Sequence, residues 1–172
     1  MDAARQEALF AELAAVRARF EGLLERADFG AWVNERTGRR VLDVVAHVAQ
    51  WDGHAASSLE AYAAGDEFRL PAPFEIHAEN QRIFEEHRGR SPREILAFLA
   101  SSRGRLVVAA RRIPPERWGG PVTYPWGAKG GVEELLVDMR GHDEHHGSQV
   151  GRAAAGAPAQ PAPPRGAPPG AE

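Results

Sequence analysis

The sequence predicts an all-α fold: a four-helix bundle with a long crossover, and a short extra helix, between helices two and three. Three observations predict it. Four long stretches repeat apolar residues at three and four, no stretch alternates convincingly at the two-residue period of a strand, and helix start and stop signals separate the stretches.

From Ala3 to Arg26 the residues Leu9, Phe10, Leu13, Val16, Phe20, Leu23 and Leu24 share one face, with Glu7, Glu21 and Glu25 opposite. This is an amphipathic helix. A polar break containing Asn34, Thr37 and Gly38 precedes a second helix, about Arg40 to Ala64, whose stripe is Val44, Val48, Trp51, Ala55, Leu59 and Tyr62. Gly65 ends it as a residue able to adopt the left-handed conformation. After the Pro71-Ala72-Pro73 breaker comes the short helix, Phe74 to about His87. Ser91-Pro92-Arg93-Glu94 is a strong start signal for the third long helix: Ser91 caps, Pro92 fits the first position and Glu94 closes a capping box. Ile95, Leu99, Leu106, Ala110 and Ile113 form its buried face until Pro114-Pro115 stop it. Arg117 to Gly131, rich in Gly, Pro and aromatic residues, reads as an irregular loop with room for a short hairpin. The last helix runs from about Val132 to Arg152.

The chain of 172 residues suits one domain, residues 1–152, followed by an Ala/Pro/Gly-rich tail, residues 153–172, with nothing apolar and branched to bury. Such a tail is expected to be disordered. The absence of cysteine excludes disulfides, a thiolate nucleophile and Cys-based metal sites. A net charge of −3 and arginines scattered among 24 acids argue against nucleic acid or an anionic membrane as partner. No apolar run reaches the roughly 18 residues of a membrane span, and no signal-peptide pattern opens the chain, so a cytoplasmic location is expected.

Chemistry concentrates in Gly141-His142-Asp143-Glu144-His145-His146. The stripe Val132, Leu135, Met139 continues at the same spacing onto His142 and His146, so two imidazoles replace apolar side chains on the inward face. Residues at i and i+4 stand about 5–6 Å apart and can share one metal ion. His145 should point away. His47, three residues after Val44 and one turn before Trp51, sits at the edge of the second helix's stripe, where it can face the pair; His54, two turns later, is an alternative. Core histidines can also be satisfied by carboxylates such as Asp43, Asp52, Asp143 or Glu144. Several polar rings on one buried register, however, ask for an ion or a hydrogen-bond network, because each unsatisfied group costs about 1–3 kcal/mol. Three imidazoles without thiolate suit zinc or nickel, with ferrous iron as a third candidate, and leave a coordination position open for water or substrate.

Leu42-Asp43-Val44-Val45-Ala46-His47-Val48-Ala49-Gln50-Trp51-Asp52 resembles the second-helix motif of the DinB-like (damage-inducible) four-helix bundles, and His142 to Gln149 resembles their fourth-helix H-x-x-x-H-x-x-Q motif. Helix order, the Asn80-containing short helix and the Ser91-Pro92 start extend the likeness over about residues 5–152. The resemblance implies an up-up-down-down bundle with a divalent metal on His47, His142 and His146. It also implies kinship with thiol-dependent S-transferases and maleylpyruvate isomerases that use mycothiol, bacillithiol or glutathione, and with stress-response members of no assigned activity. The chain departs from the pattern at Gly147-Ser148, where members often carry Arg-Gly, which removes a charged anchor expected near the metal.

The sequence therefore points to a metal-dependent transferase, isomerase or hydrolase acting on a small molecule, with a low-molecular-weight thiol as a candidate cofactor. A non-catalytic stress-response metal- or ligand-binding protein is the alternative. Asp43 and Asp143 are candidates to orient a ring nitrogen. Trp51 and Trp126 are candidates for a substrate wall, while Trp118, Tyr124 and Trp126 either form a lid or anchor the loop over the bundle end. Arg111-Arg112 closes a helix, where positive charge favours the dipole. The stretch Gly127 to Gly131 lacks phosphate-loop spacing, and no G-x-S-x-G is present. Pairing of two chains into a homodimer is compatible with the sequence.

Overall fold

The helices begin where side chains or neighbouring carbonyls take up free backbone donors. In the first, α1 (Ala3–Leu24), the Asp2 carboxylate accepts from the Arg5 N–H at 2.8 Å. α2 (Val41–Ala64) is started by the chain before it: Val41 and Leu42 donate to the carbonyls of Ala31 and Phe29 at 3.0 and 3.2 Å, and Asp43 accepts from the Arg40 N–H at 2.8 Å. Gly65 closes α2 with φ 84°, in the left-handed region. Glu75 caps α3 (Ile76–His87) by accepting from His77 and Ala78. α4 (Pro92–Arg111) starts on the Ser91–Glu94 capping box, and α5 (Val132–Ala154) on Glu134, which accepts from the Gly131 N–H at 2.8 Å.

The computed structural model describes residues 2–69 and 74–156, and among them the chain is mostly helical with five α-helices. The Pro71-Ala72-Pro73 breaker and the tail from residue 157 lie outside the described residues. Ala153 and Ala154 continue α5, so the last helix passes the expected end at Arg152. α1 ends at Leu24 rather than Arg26, because Arg26 and Ala27 donate only three residues back, to Leu23 and Leu24. α3 begins at Ile76 rather than Phe74, because Glu75 serves as its cap.

Two short antiparallel ribbons interrupt the helical pattern. Strand β1 (Trp32–Asn34) pairs with β2 (Arg39–Arg40) where a plain polar break is expected. Its turn is fixed by Asn34 Oδ1 accepting from Thr37 N–H and by Gly38 at φ 69°, signals too local to show as periodicity. β3 (Val122–Thr123) pairs with β4 (Lys129–Gly130) inside the Arg117–Gly131 loop, as the hairpin reading allows. Gly130 is required there, since a Cβ would collide with Tyr124 Oη.

α2 packs along α4 and α5, α1 packs along α5, and α3 lies on α2. Leu9, Leu13, Phe20, Leu59, Leu106 and Leu135 are almost wholly buried, each worth about 2 kcal/mol of apolar transfer. Leu23, expected on the inner stripe, is 37% exposed and covers the flank of α5 at Gly147 and Gly151. Among the described residues no helix is long and apolar enough to cross a membrane.

Candidate metal centre

α2 and α5 lie side by side, so His47 on one faces His142 and His146 on the other. The Nε2 atoms of His47 and His142 are 3.0 Å apart, and those of His146 and His142 are 3.1 Å apart. One nitrogen of each of the three rings lies within 4.8 Å of the others. Ring centroids of His47 stand 5.0 Å from His142 and 4.8 Å from His146.

The fit to a cation follows from proton positions. Gln149 Oε1 accepts from His146 Nδ1–H at 2.8 Å, while the Gln149 amide nitrogen donates to His145 Nε2 at 3.0 Å. The lone pair of His146 is thereby left on Nε2, aimed at His142. His47 Nε2 also faces His142 Nε2, which has at most one proton to share between two neighbours. His142 Nδ1 is buried with no hydrogen-bond partner. The His47–His142 and His142–His146 separations match ligands held about 2.1 Å from one ion, and the three nitrogens together lie close enough that the imidazoles could hold one.

Electrostatics keeps the rings in the ligating form. Burial pushes His47 and His142 well below the ordinary imidazole value, with His146 nearby adding repulsion, and burial lowers His146 to about 4. All three are neutral at pH 7.

The other predicted residues divide. His54 is not brought to the triad: seven residues along α2 from His47, roughly 10 Å further along the axis, it bonds Glu79 Oε1 at 2.8 Å, and Arg82 grips the same carboxylate. His145 is not one of the three ligating rings: it stands edge-on to His146 at 5.0 Å and shares Gln149 with it. Asp43 is occupied in starting α2. Asp143 does not reach a ring nitrogen either; with Asp52 it bonds Arg17 and Arg103. Burial pushes Asp143 up to about 6 against those two guanidiniums, which leaves it ionised at pH 7.

Trp51 lies beside the triad, its ring 6.2 Å from His47 and 6.4 Å from Trp126, and its Nε1 donates to Asn80 Oδ1 at 3.1 Å. Trp118 is instead a loop anchor, edge-on to Phe10 and donating to the Ile113 carbonyl. Tyr124 anchors the loop through Gly131. Gly147 packs on Phe20 and Leu23, so the departure at Gly147-Ser148 concerns contact with α1 rather than the rings. Arg111 bonds Glu7 and covers Phe10, tying α4 to α1.

Helical periodicity alone assigns no role to Gln149 or to the four buried charges. A signal for the charges is nevertheless present: Arg17, Asp52, Arg103 and Asp143 each follow an apolar stripe residue by four (Leu13, Val48, Leu99, Met139). For Gln149 the signal is its place three residues after His146.

No curated protein and no solved structure matches the chain. A family model does, that of the mycothiol maleylpyruvate isomerase N-terminal domain, over residues 40–143. The match opens one residue before α2, takes in His47 and His142 and stops three residues short of His146. Since it spans more than half of the sequence, the chain belongs to this family of DinB-like domains.

Proposed function

We propose that the chain is a four-helix bundle, with α3 in the crossover, that holds one divalent metal ion on His47, His142 and His146 and acts on a small molecule. Zinc or nickel suits the three neutral imidazoles best, and ferrous iron also fits. The observation that carries the reading is the convergence of three Nε2 atoms, two pairs of them 3.0 and 3.1 Å apart, on a buried register. A divalent ion bound there supplies a Lewis acid able to bring the pKa of a thiol or of water toward about 7. The family description names mycothiol and maleylpyruvate, which supports a low-molecular-weight thiol as co-substrate and an isomerase or transferase as the reaction class, with hydrolysis as the water counterpart.

The chain's own residues have separable tasks. Gln149 holds His146 in one tautomer, and Trp51 with Trp126 offers an apolar wall beside His47. Neither Asp43 nor Asp143 bonds a ring: Asp43 accepts from the Arg40 N–H and Asp143 binds Arg17 and Arg103.

The test uses full-length chain purified without a histidine tag. Metal analysis is expected to give about one ion per chain, and turnover of maleylpyruvate or a simple electrophile is expected only with mycothiol, bacillithiol or glutathione present. Metal uptake without turnover would move the assignment to a non-catalytic metal- or ligand-binding protein. A preparation supplemented with zinc and nickel that still holds no stoichiometric metal would sink the site.

A further inference from the structure

Each of the four long helices contributes one buried charge to a single cluster: Arg17 from α1, Asp52 from α2, Arg103 from α4 and Asp143 from α5. Their exposures are 5, 0, 8 and 1%. Arg17 Nη2 donates to Asp52 Oδ2 and to Asp143 Oδ1, both at 2.8 Å, and its Nε donates to Asp143 Oδ2 at 3.1 Å. Arg103 repeats the pattern, with Nε on Asp52 Oδ2 at 3.1 Å and Nη2 on Asp143 Oδ2 at 2.9 Å. Each guanidinium thus bridges both carboxylates, and formal charge cancels.

Stability alone explains this cluster poorly. Replacing buried ion networks by apolar groups of similar volume is often neutral or stabilising, because desolvation offsets the attraction. Here satisfaction is also incomplete. Arg17 Nη1 and Arg103 Nη1 have no hydrogen-bond partner, and Asp52 Oδ1 stands 2.9 Å from Arg103 Nη2 without the alignment of a hydrogen bond. What planar forks do well is fix geometry. Asp143 directly follows His142 and precedes His146 by three, so a rotation of α5 that moved one would move all of them. Asp52 sits five residues after His47 on α2. A slip of one residue along a helix turns a side chain by about 100° and shifts it about 1.5 Å. A ligand set, by contrast, tolerates only about 0.5 Å.

We propose that Arg17, Asp52, Arg103 and Asp143 are positioning residues: a clamp across four helices that sets the rotation and axial register of α5 against α2, so that His142 and His146 meet His47. Its consequence for metal binding rests on the reading of the triad as a metal site.

The test compares full-length parent with the variant Arg17→Met, Asp52→Leu, Arg103→Met, Asp143→Leu, and separately with Asp143→Asn, which keeps the shape and removes the charge. Two readouts are used. In metal-free protein, nuclear Overhauser effects between the His47 and His142 rings report their approach. In cobalt(II) titrations, affinity and the visible ligand-field bands report the site. The fourfold variant is expected to keep parental helical circular dichroism and an undiminished thermal midpoint. Its ring-to-ring Overhauser effects should vanish, its cobalt affinity fall about tenfold or more, and its bands shift. Overhauser effects and bands like the parent's, with affinity within about twofold, would overturn the clamp. If the fourfold variant does not fold, Asp143→Asn decides: weakened Overhauser effects and lower affinity support the clamp, and parental values reject it. A parent that takes up no cobalt would remove the metal reading, and the Overhauser effects would then judge the clamp alone.

Discussion

His142 and His146 are one turn apart on α5 and His47 lies on the neighbouring helix, so each single truncation leaves at most two ligands. His47→Ala, His142→Ala and His146→Ala should each abolish tight metal binding, measured by metal analysis after gel filtration. His145→Ala and His54→Ala should retain it, because neither ring belongs to the three: His145 bonds Gln149 and His54 is held by Glu79. Gln149→Ala should weaken binding by about 10–100-fold without removing a ligand, since it frees the His146 tautomer. The pH dependence has a definite sign. His146 sits at about 4 in the folded chain against an ordinary 6.5, so between those values the unfolded chain takes up a proton that the folded chain refuses. Metal-free stability should therefore fall as pH falls from about 6.5 toward 4, by about 3 kcal/mol from this ring, and denaturant melts of His146→Phe should show a shallower fall. For the same reason metal uptake should persist well below pH 6.5, because the apo rings need no deprotonation there.

At the scale of elements, the helices that carry the site are placed by their ends and by close packing with neighbours. Ser91 accepts from the Glu94 N–H and Glu94 accepts from the Ser91 N–H, so Ser91→Ala should cost about 1 kcal/mol in equilibrium unfolding while leaving metal affinity unchanged, because α4 carries no ligand. Gly130→Ala differs in kind. The added Cβ would collide with Tyr124 Oη and Glu134 Oε2, disturbing the groups that start α5. It should lower both the melting temperature and metal affinity, the second measured by zinc competition with a chromophoric chelator.

For the whole molecule, an ion held between α2 and α5 by the three rings would bind the folded chain and not the unfolded one. Removing it with a chelator should lower the melting temperature by about 5–10 °C, the equivalent of about 2.7 kcal/mol at a hundredfold excess over Kd. The apo chain should stay helical by circular dichroism, because a core built on Leu9, Leu59, Leu106 and Leu135 does not involve the rings. The helical class, most helix ends and the inward register of His142 and His146 were legible from residue order, because helix periodicity and capping are local and act within four residues. The one-turn spacing of His142 and His146 marked the site as well, and resemblance of the second-helix motif pointed to His47. Folding in three dimensions settled the rest: which ring nitrogens face each other, that His54 belongs to Glu79, that Gln149 orients His146, and that Asp52 and Asp143 bind arginines rather than imidazoles. Most of those pairings join residues far apart in the chain, up to 126 positions for Arg17 and Asp143. A charge on an apolar register shows only that it needs a partner; which partner it meets depends on how the helices rotate against one another.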